Sequence, residues 1–238
     1  MQGSHGVEPN RNCQTCTARQ RGFFCYLGQD AAREFDAIKS FFAYPTGSFL
    51  FLEREPLRGV YMLCSGKVKL TMSSRGGKTL ILRLARAGEV LGLMAAMSGS
   101  PYEATVEALE PCQVAFIRQD DFSRFIARHP EVYQAMLRQL SAQYYGTCEQ
   151  MRTIALSSSS REKLARLLLH WSYGGSETNE GTRISVPLTH EQIAECVGST
   201  RETVTRTLSE FKSRHLVMLR GATMVIPNRA ALAAIGGD

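Results

Sequence analysis

Tryptophan occurs once and proline eight times in this 238-residue chain, and no apolar run reaches 18 residues. The missing run excludes a transmembrane helix. A basic, apolar, small-residue leader is also lacking, so a cytoplasmic protein without membrane association is the expectation. A disulfide framework is a poor fit, because Cys13, Cys16, Cys25, Cys64, Cys112, Cys148 and Cys196 are odd in number and irregular in spacing. The five histidines are dispersed, with no H-x-x-x-H or H-E-x-x-H pattern; His190-Glu191 fails because position 194 is alanine. Gly76-Gly77-Lys78-Thr79 lacks the leading glycine of a phosphate loop and sits between two strand-like segments, so it reads as a hairpin turn. These absences point away from an enzyme.

What remains is ordinary globular material, 44% hydrophobic, 8% aromatic and 21% charged. Lys and Arg number 28 against 22 Asp and Glu, a formal +6 that leans toward a polyanionic partner. The length suits one large domain or two smaller ones. A chain of this size buries roughly 70% of its extended surface, so its core needs neither disulfides nor metals.

Residues 1–30 carry three of the seven cysteines. Across 31–42, Phe35, Ile38, Phe41 and Phe42 stand at helix-compatible intervals and predict a short helix. Segments 48–52, 59–64, 67–72, 79–84, 104–109 and 113–117 read as strands, with turns at 45–47, 65–66 and 75–77. Short strands so spaced, without long helices between them, predict an antiparallel barrel or double-sheet roll over 31–129. Helical periodicity takes over at 130–156, where Val132, Met136, Leu140, Tyr144, Cys148 and Met151 recur every three or four residues, flanked by Tyr133 and Leu137 and continued by Ile154. A stripe of that length against a small sheet domain leaves apolar surface for a second copy, which predicts a homodimer with the two helices side by side.

Residues 157–238 form the remaining domain. Ser159 and Glu162 are spaced as a capping box ahead of Leu164, Leu167, Leu168 and Trp171, and 174–181 reads as a polar insertion. Thr189 and Gln192 form another box before a short helix closed by Gly198, and Ser199 with Glu202 opens the next. Two capped helices around a glycine are the pattern of a helix-turn-helix. Its second helix divides cleanly: Val204, Leu208 and Phe211 on one side, Arg201, Glu202, Thr205, Arg206 and Ser209 on the other. A helix N-terminus favours phosphate, arginine reaches guanine O6 and N7, and a carboxylate accepts from cytosine N4. Ser199, Thr200 and Lys212 stand near phosphate, and Arg220 lies at the tip of a two-stranded wing over 216–226 that Pro227 ends.

Gly47, Gly66-Lys67-Val68, the Gly88-Glu89-Val90-Leu91-Gly92 corner, the long helix after His129-Pro130, and above all Val197-Gly198-Ser199-Thr200-Arg201-Glu202-Thr203-Val204-Thr205-Arg206-Thr207-Leu208 together resemble the Crp/Fnr superfamily of transcription regulators. The resemblance implies an α+β chain: a cupin-like antiparallel β-barrel (jelly roll) sensor, a dimerisation helix and a C-terminal winged helix-turn-helix. It also implies that Arg201, Glu202 and Arg206 read an inverted repeat in double-stranded DNA, with RNA polymerase as a partner if the regulator activates.

For the signal, the resemblance supplies two comparisons. Relatives that hold a cyclic phosphate do so with a Glu after the glycine corner and an Arg-Ser pair before the next strand; Leu93 and Tyr102-Glu103 stand there in this chain. A carboxylate in place of that pair argues against cyclic nucleotide. Cys13 and Cys16 are spaced C-x2-C, with Cys25 after eight residues and Arg19, Arg21, Phe23 and Phe24 between. This segment resembles the cluster-binding segment of oxygen-sensing Fnr-like regulators, which implies an iron-sulfur cluster on Cys13, Cys16, Cys25 and Cys112, although Cys112 is three residues before the family's fourth position. Structural zinc, redox-active thiols, no chemistry, and a metal-free small-molecule ligand in the barrel stay open as alternatives.

Overall fold

The computed structural model describes residues 27–237, so Cys13, Cys16 and Cys25 lie outside the described residues. The chain divides into two compact units, Met1–Met72 with Leu84–Tyr144, and Tyr145–Asp238 with Ser73–Arg83.

In chain order come α1 (Gln29–Ile38), β1 (Lys39–Tyr44), β2 (Phe49–Phe51), β3 (Gly59–Ser65) and β4 (Lys67–Ser73), then β5 (Thr79–Arg86), whose residues up to Arg83 group with the second unit, β6 (Val90–Leu91) and α2 (Leu93–Ser98). Then come β7 (Thr105–Ala108), β8 (Cys112–Arg118), α3 (Gln119–Arg128) and the start of α4 (Glu131–Leu156). The helix predicted to 42 stops at Ile38. Phe41 and Phe42 are strand residues, because β1 pairs with β8 along its length, placing Phe41 opposite Ala115 and Phe42 opposite Val114. A helical interval and a strand run look alike over so few residues, and the ladder decides.

The sheets run β1-β8-β3-β6 and β2-β7-β4-β5. Both are open, which corrects the expectation of a closed barrel: among the described residues no ladder joins an edge of one sheet to an edge of the other. Closure needs edge strands long enough to pair, and β2 spans 3 residues while β6 spans 2. The core lies where β3 and β8 (Val60, Met62, Ala115, Ile117) meet Phe35 of α1, Phe122 and Phe125 of α3, and Val132 and Met136 of α4. Each such side chain contributes about 1.5–3 kcal/mol by leaving water. Gln139 of α4 accepts from Val90 N at 3.0 Å and donates to Val90 O at 2.7 Å, pinning the helix to β6.

Helix α4 therefore has two apolar rows. Val132 and Met136 face their own unit and are 1% and 2% exposed, whereas Leu137, Tyr144 and Met151 are 67%, 69% and 64% exposed. The exposed row repeats every seven residues, the spacing of a two-helix seam. Leu140 and Cys148 are half-buried.

The second unit contains α5 (Ser160–Ser172), β9 (Ser176–Thr178), β10 (Gly181–Ser185), α6 (His190–Val197), α7 (Arg201–Ser213), β11 (Met218–Arg220), β12 (Thr223–Ile226) and α8 (Arg229–Gly236). Ser159 caps α5 by accepting from Glu162 N at 3.1 Å. Glu162 itself reaches past the cap to Ser158, accepting from its N at 2.7 Å and its hydroxyl at 2.8 Å. The segment read as a polar insertion is instead a hairpin that widens the wing to four strands, β11-β12-β10-β9. Its inner strand pairs with β12, Thr182 opposite Ile226 and Ile184 opposite Met224. Among the described residues no helix is long and apolar enough to cross a membrane.

Candidate nucleic-acid interface

Helix α6 begins with a complete capping box. Thr189 Oγ1 accepts from Gln192 N at 3.2 Å, and Gln192 Oε1 accepts from Thr189 N at 2.9 Å. The helix ends at Gly198, whose φ of 61° is left-handed and suits glycine. Three residues later α7 starts, and its cap is Thr200 rather than Ser199: Thr200 Oγ1 accepts from Thr203 N at 3.3 Å and donates to Thr203 Oγ1 at 3.0 Å. Ser199 is half-buried and donates to Ser160 Oγ at 3.1 Å, so it ties the turn to α5.

The two faces of α7 are physically distinct. Val204, Thr207, Leu208 and Phe211 are buried, as are Ile193, Ala194, Cys196 and Val197 of α6, and α5 packs against both helices. Arg161 of α5 pairs with Glu210 of α7 at 3.2 Å. Arg201, Glu202, Thr205, Arg206, Ser209 and Lys212 are all exposed on the outer side. Among the described residues, none of the side chains of Arg201, Glu202, Arg206 and Lys212 is held in an ion pair, so these charges face solvent. Ser209 donates to Thr205 O at 2.9 Å, which uses its proton within the helix.

Arg220, expected at the wing tip, is exposed and carries an ion pair. Its guanidinium grips Glu180 of the β9–β10 turn through two parallel bonds of 3.0 and 2.9 Å. Forty residues of sequence separate the partners, and no local pattern announces such a pair. His190 is the residue that sequence reasoning missed: its Nδ1 lies 2.9 Å from Thr205 Oγ1.

In the sensor unit, Tyr102 and Leu93 are each 1% exposed. The Tyr102 ring stacks on Phe51 at 4.0 Å, and its hydroxyl donates to Gly59 O at 2.7 Å. A side chain at Gly92 would collide with it, since a Cβ there lies 2.8 Å from the ring. Glu103, however, is exposed. Its carboxylate is solvated rather than held in a low-dielectric pocket, and the repulsion invoked against a cyclic phosphate loses its basis.

The cysteine expectation is corrected as well. Cys112 is buried, and its Sγ lies 3.1 Å from Glu110 O and 3.4 Å from Lys67 O, which share its one proton. Burial pushes its thiol up to about 11, whereas a metal ligand must be a thiolate. A Cβ at Gly66 would fall 2.6 Å from this sulfur, so the surroundings are closely packed. Among the described residues no group of three or more His, Cys, Asp and Glu is placed to hold a metal. Iodoacetamide footprinting at about pH 8 is expected to leave Cys112 unmodified in the folded protein and to label it in urea. Equal labelling rates in the two states would contradict the buried, protonated thiol.

Comparison with known proteins adds to this geometry. Residues 41–129 match the family described as cyclic nucleotide-binding domain, and 162–235 match the Crp-like helix-turn-helix domain. The first match overturns the argument against a cyclic nucleotide and makes one plausible. The global nitrogen regulator of Synechococcus elongatus is 27% identical over 191 residues, 79% of this chain and 86% of the relative. A CRP-like cAMP-activated global transcriptional regulator of Mycobacterium tuberculosis is 25% identical over 190 residues, 80% of this chain and 85% of that one. Among solved structures, FixK2 from Bradyrhizobium japonicum superimposes with a TM-score of 0.73 at 21% identity, covering 83% of this chain and 97% of its own; at that identity the likeness speaks for the fold.

Proposed function

Since the chain belongs to the Crp/Fnr superfamily, as a DNA-binding transcription regulator and not an enzyme, we propose that it works as a homodimer that reads an inverted repeat and is controlled by a small ligand without a metal. The observation that carries the DNA contact is the exposed row on α7, with Arg201, Glu202, Thr205 and Arg206 projecting from a helix whose other face is locked into the core of its unit. Arg201 and Arg206 read guanine edges and Glu202 accepts from cytosine. Thr200 and Lys212 meet phosphates, and Ser209 lines the same face. Arg220 approaches the backbone only when it exchanges Glu180 for phosphate, a charge-assisted bond of similar strength.

Dimerisation uses the outer row of α4. Leu137, Tyr144 and Met151, with Cys148 between the last two, form the seam, while Val132 and Met136 belong to the protomer's own core. The ligand class supported by the match over 41–129 is a cyclic nucleotide, and the relative from Mycobacterium tuberculosis is cAMP-activated. Calorimetric titration with cyclic AMP and cyclic GMP, followed by operator affinity with and without each, tests this. One of them is expected to bind and to shift operator affinity at least about tenfold, the 1.4 kcal/mol scale of a typical coupling. If neither binds, the sensor takes another ligand and the assignment fails.

A further inference from the structure

The contact between His190 and Thr205 bridges the two helices of the DNA-reading unit on its outer side. His190 is the first residue of α6, Thr205 is exposed on α7 among Arg201, Glu202 and Arg206, and Nδ1 and Oγ1 are 2.9 Å apart. A free threonine hydroxyl has one proton and two lone pairs, and it rotates to suit either a donor or an acceptor on a base. A base edge is identified by which of these it offers: adenine N6 and cytosine N4 donate, whereas guanine O6 and N7 and thymine O4 accept. A hydroxyl that rotates freely therefore discriminates poorly.

We propose that His190 is a specificity-determining residue that acts through Thr205, fixing the hydrogen-bond polarity this hydroxyl shows to DNA without touching a base itself. When Nδ1 lacks a proton, it accepts the Thr205 hydroxyl proton and leaves only lone pairs facing outward, which suits a base amino group. When Nδ1 carries a proton, it donates to Oγ1 and leaves the hydroxyl proton to be given to a base acceptor. In the first state donation to a base is removed before DNA arrives; in the second one of the two lone pairs is used up, which tips the hydroxyl toward donation, and in both the rotor is restrained. Thr205 is the residue on this face that can be set in this manner, since Ser209 already gives its proton to Thr205 O. His190 is thus a positioning residue rather than a contact residue.

The inference rests on the reading that α7 enters the major groove, and its test separates the two. Base preference at each operator position is measured by competition with all single-base variants of the duplex, for the wild type, His190→Ala, Thr205→Val, the double variant and His190→Asn. His190→Ala is expected to flatten preference by about 3-fold to 10-fold per half-site at the position facing Thr205, the range of one net hydrogen bond, while preferences at the positions read by Arg206 persist. The double variant is expected to match Thr205→Val alone. His190→Asn, whose side-chain amide again engages the hydroxyl, is expected to restore a preference there. Equal melting temperatures establish that the variants are folded. A uniform loss of affinity for every duplex in His190→Ala, repeated in the Thr205→Val background, would overturn the proposal and make His190 a simple phosphate or structural residue. If Arg206→Ala also leaves every base preference intact, the fault lies with the major-groove reading itself.

Discussion

Replacing Arg206 with alanine is expected to cost about 1–3 kcal/mol at each half-site, hence about 30-fold to 20,000-fold in affinity for the symmetric operator of a dimer, with little change on unrelated duplexes. The reason is positional. Arg206 stands two residues after Val204, which is buried, and two before Leu208, which is also buried, so the seam of α7 holds its backbone while its guanidinium is left outside. Truncation removes a fork of donors matched to guanine and takes nothing from the core, so the melting temperature should hold. Lys212→Ala gives the contrasting signature, a similar loss on all sequences and a salt slope reduced by about one per protomer. If Arg206→Ala left discrimination between operator and scrambled duplex unchanged, base reading by this face would be refuted.

A second large effect is expected from Leu137→Lys combined with Tyr144→Lys. The two residues are seven apart on α4 and 67% and 69% exposed in the protomer, so the substitutions leave its buried core intact. In a seam they bury four unpaired ammonium groups per dimer, each costing several kcal/mol, and the protein should sediment as a folded monomer. Specific affinity should then fall by about 1,000-fold or more, toward the non-specific level, because one half-site contact no longer fixes the other. The same charges at Val132 or Met136 would instead unfold the first unit, where these side chains sit among Phe35, Phe122 and Phe125. A dimer that persists in the double variant would move the interface elsewhere.

The parts legible in the sequence were those governed by neighbours within a few residues. Thr189 with Gln192, Gly198 and the alternation of faces along α7 depend on local caps and a 3.6-residue period, and the structure forms them as written. Ser199 misled by one residue because Ser199 and Thr200 are both capping types, and only the contact with Ser160 settles which one turns inward. The stripe on α4 read as a single surface because a helix that packs on both sides is apolar around most of its circumference; burial splits it into an inner and an outer row. Arg220 and Glu180, and His190 and Thr205, are pairs made by the turn of the chain, so their residue types carried no signal. Glu103 was misjudged for the same reason, since position in a motif gives no direction for a side chain that ends in water. The open sheets follow from the lengths of β2 and β6, which hydrophobic runs do not measure.

Two copies of this chain are expected to place their α7 helices in successive major grooves. Selection of the full-length protein against a pool of random duplexes, followed by sequencing and measurement of protein-to-duplex stoichiometry, tests it directly. The expected result is an inverted repeat with half-site centres about 10 base pairs apart, about 34 Å along the helix, bound by two protomers and containing a G·C pair that Arg206→Ala no longer selects. Enrichment of an asymmetric sequence, a single protomer per duplex, or no enrichment at all would contradict it.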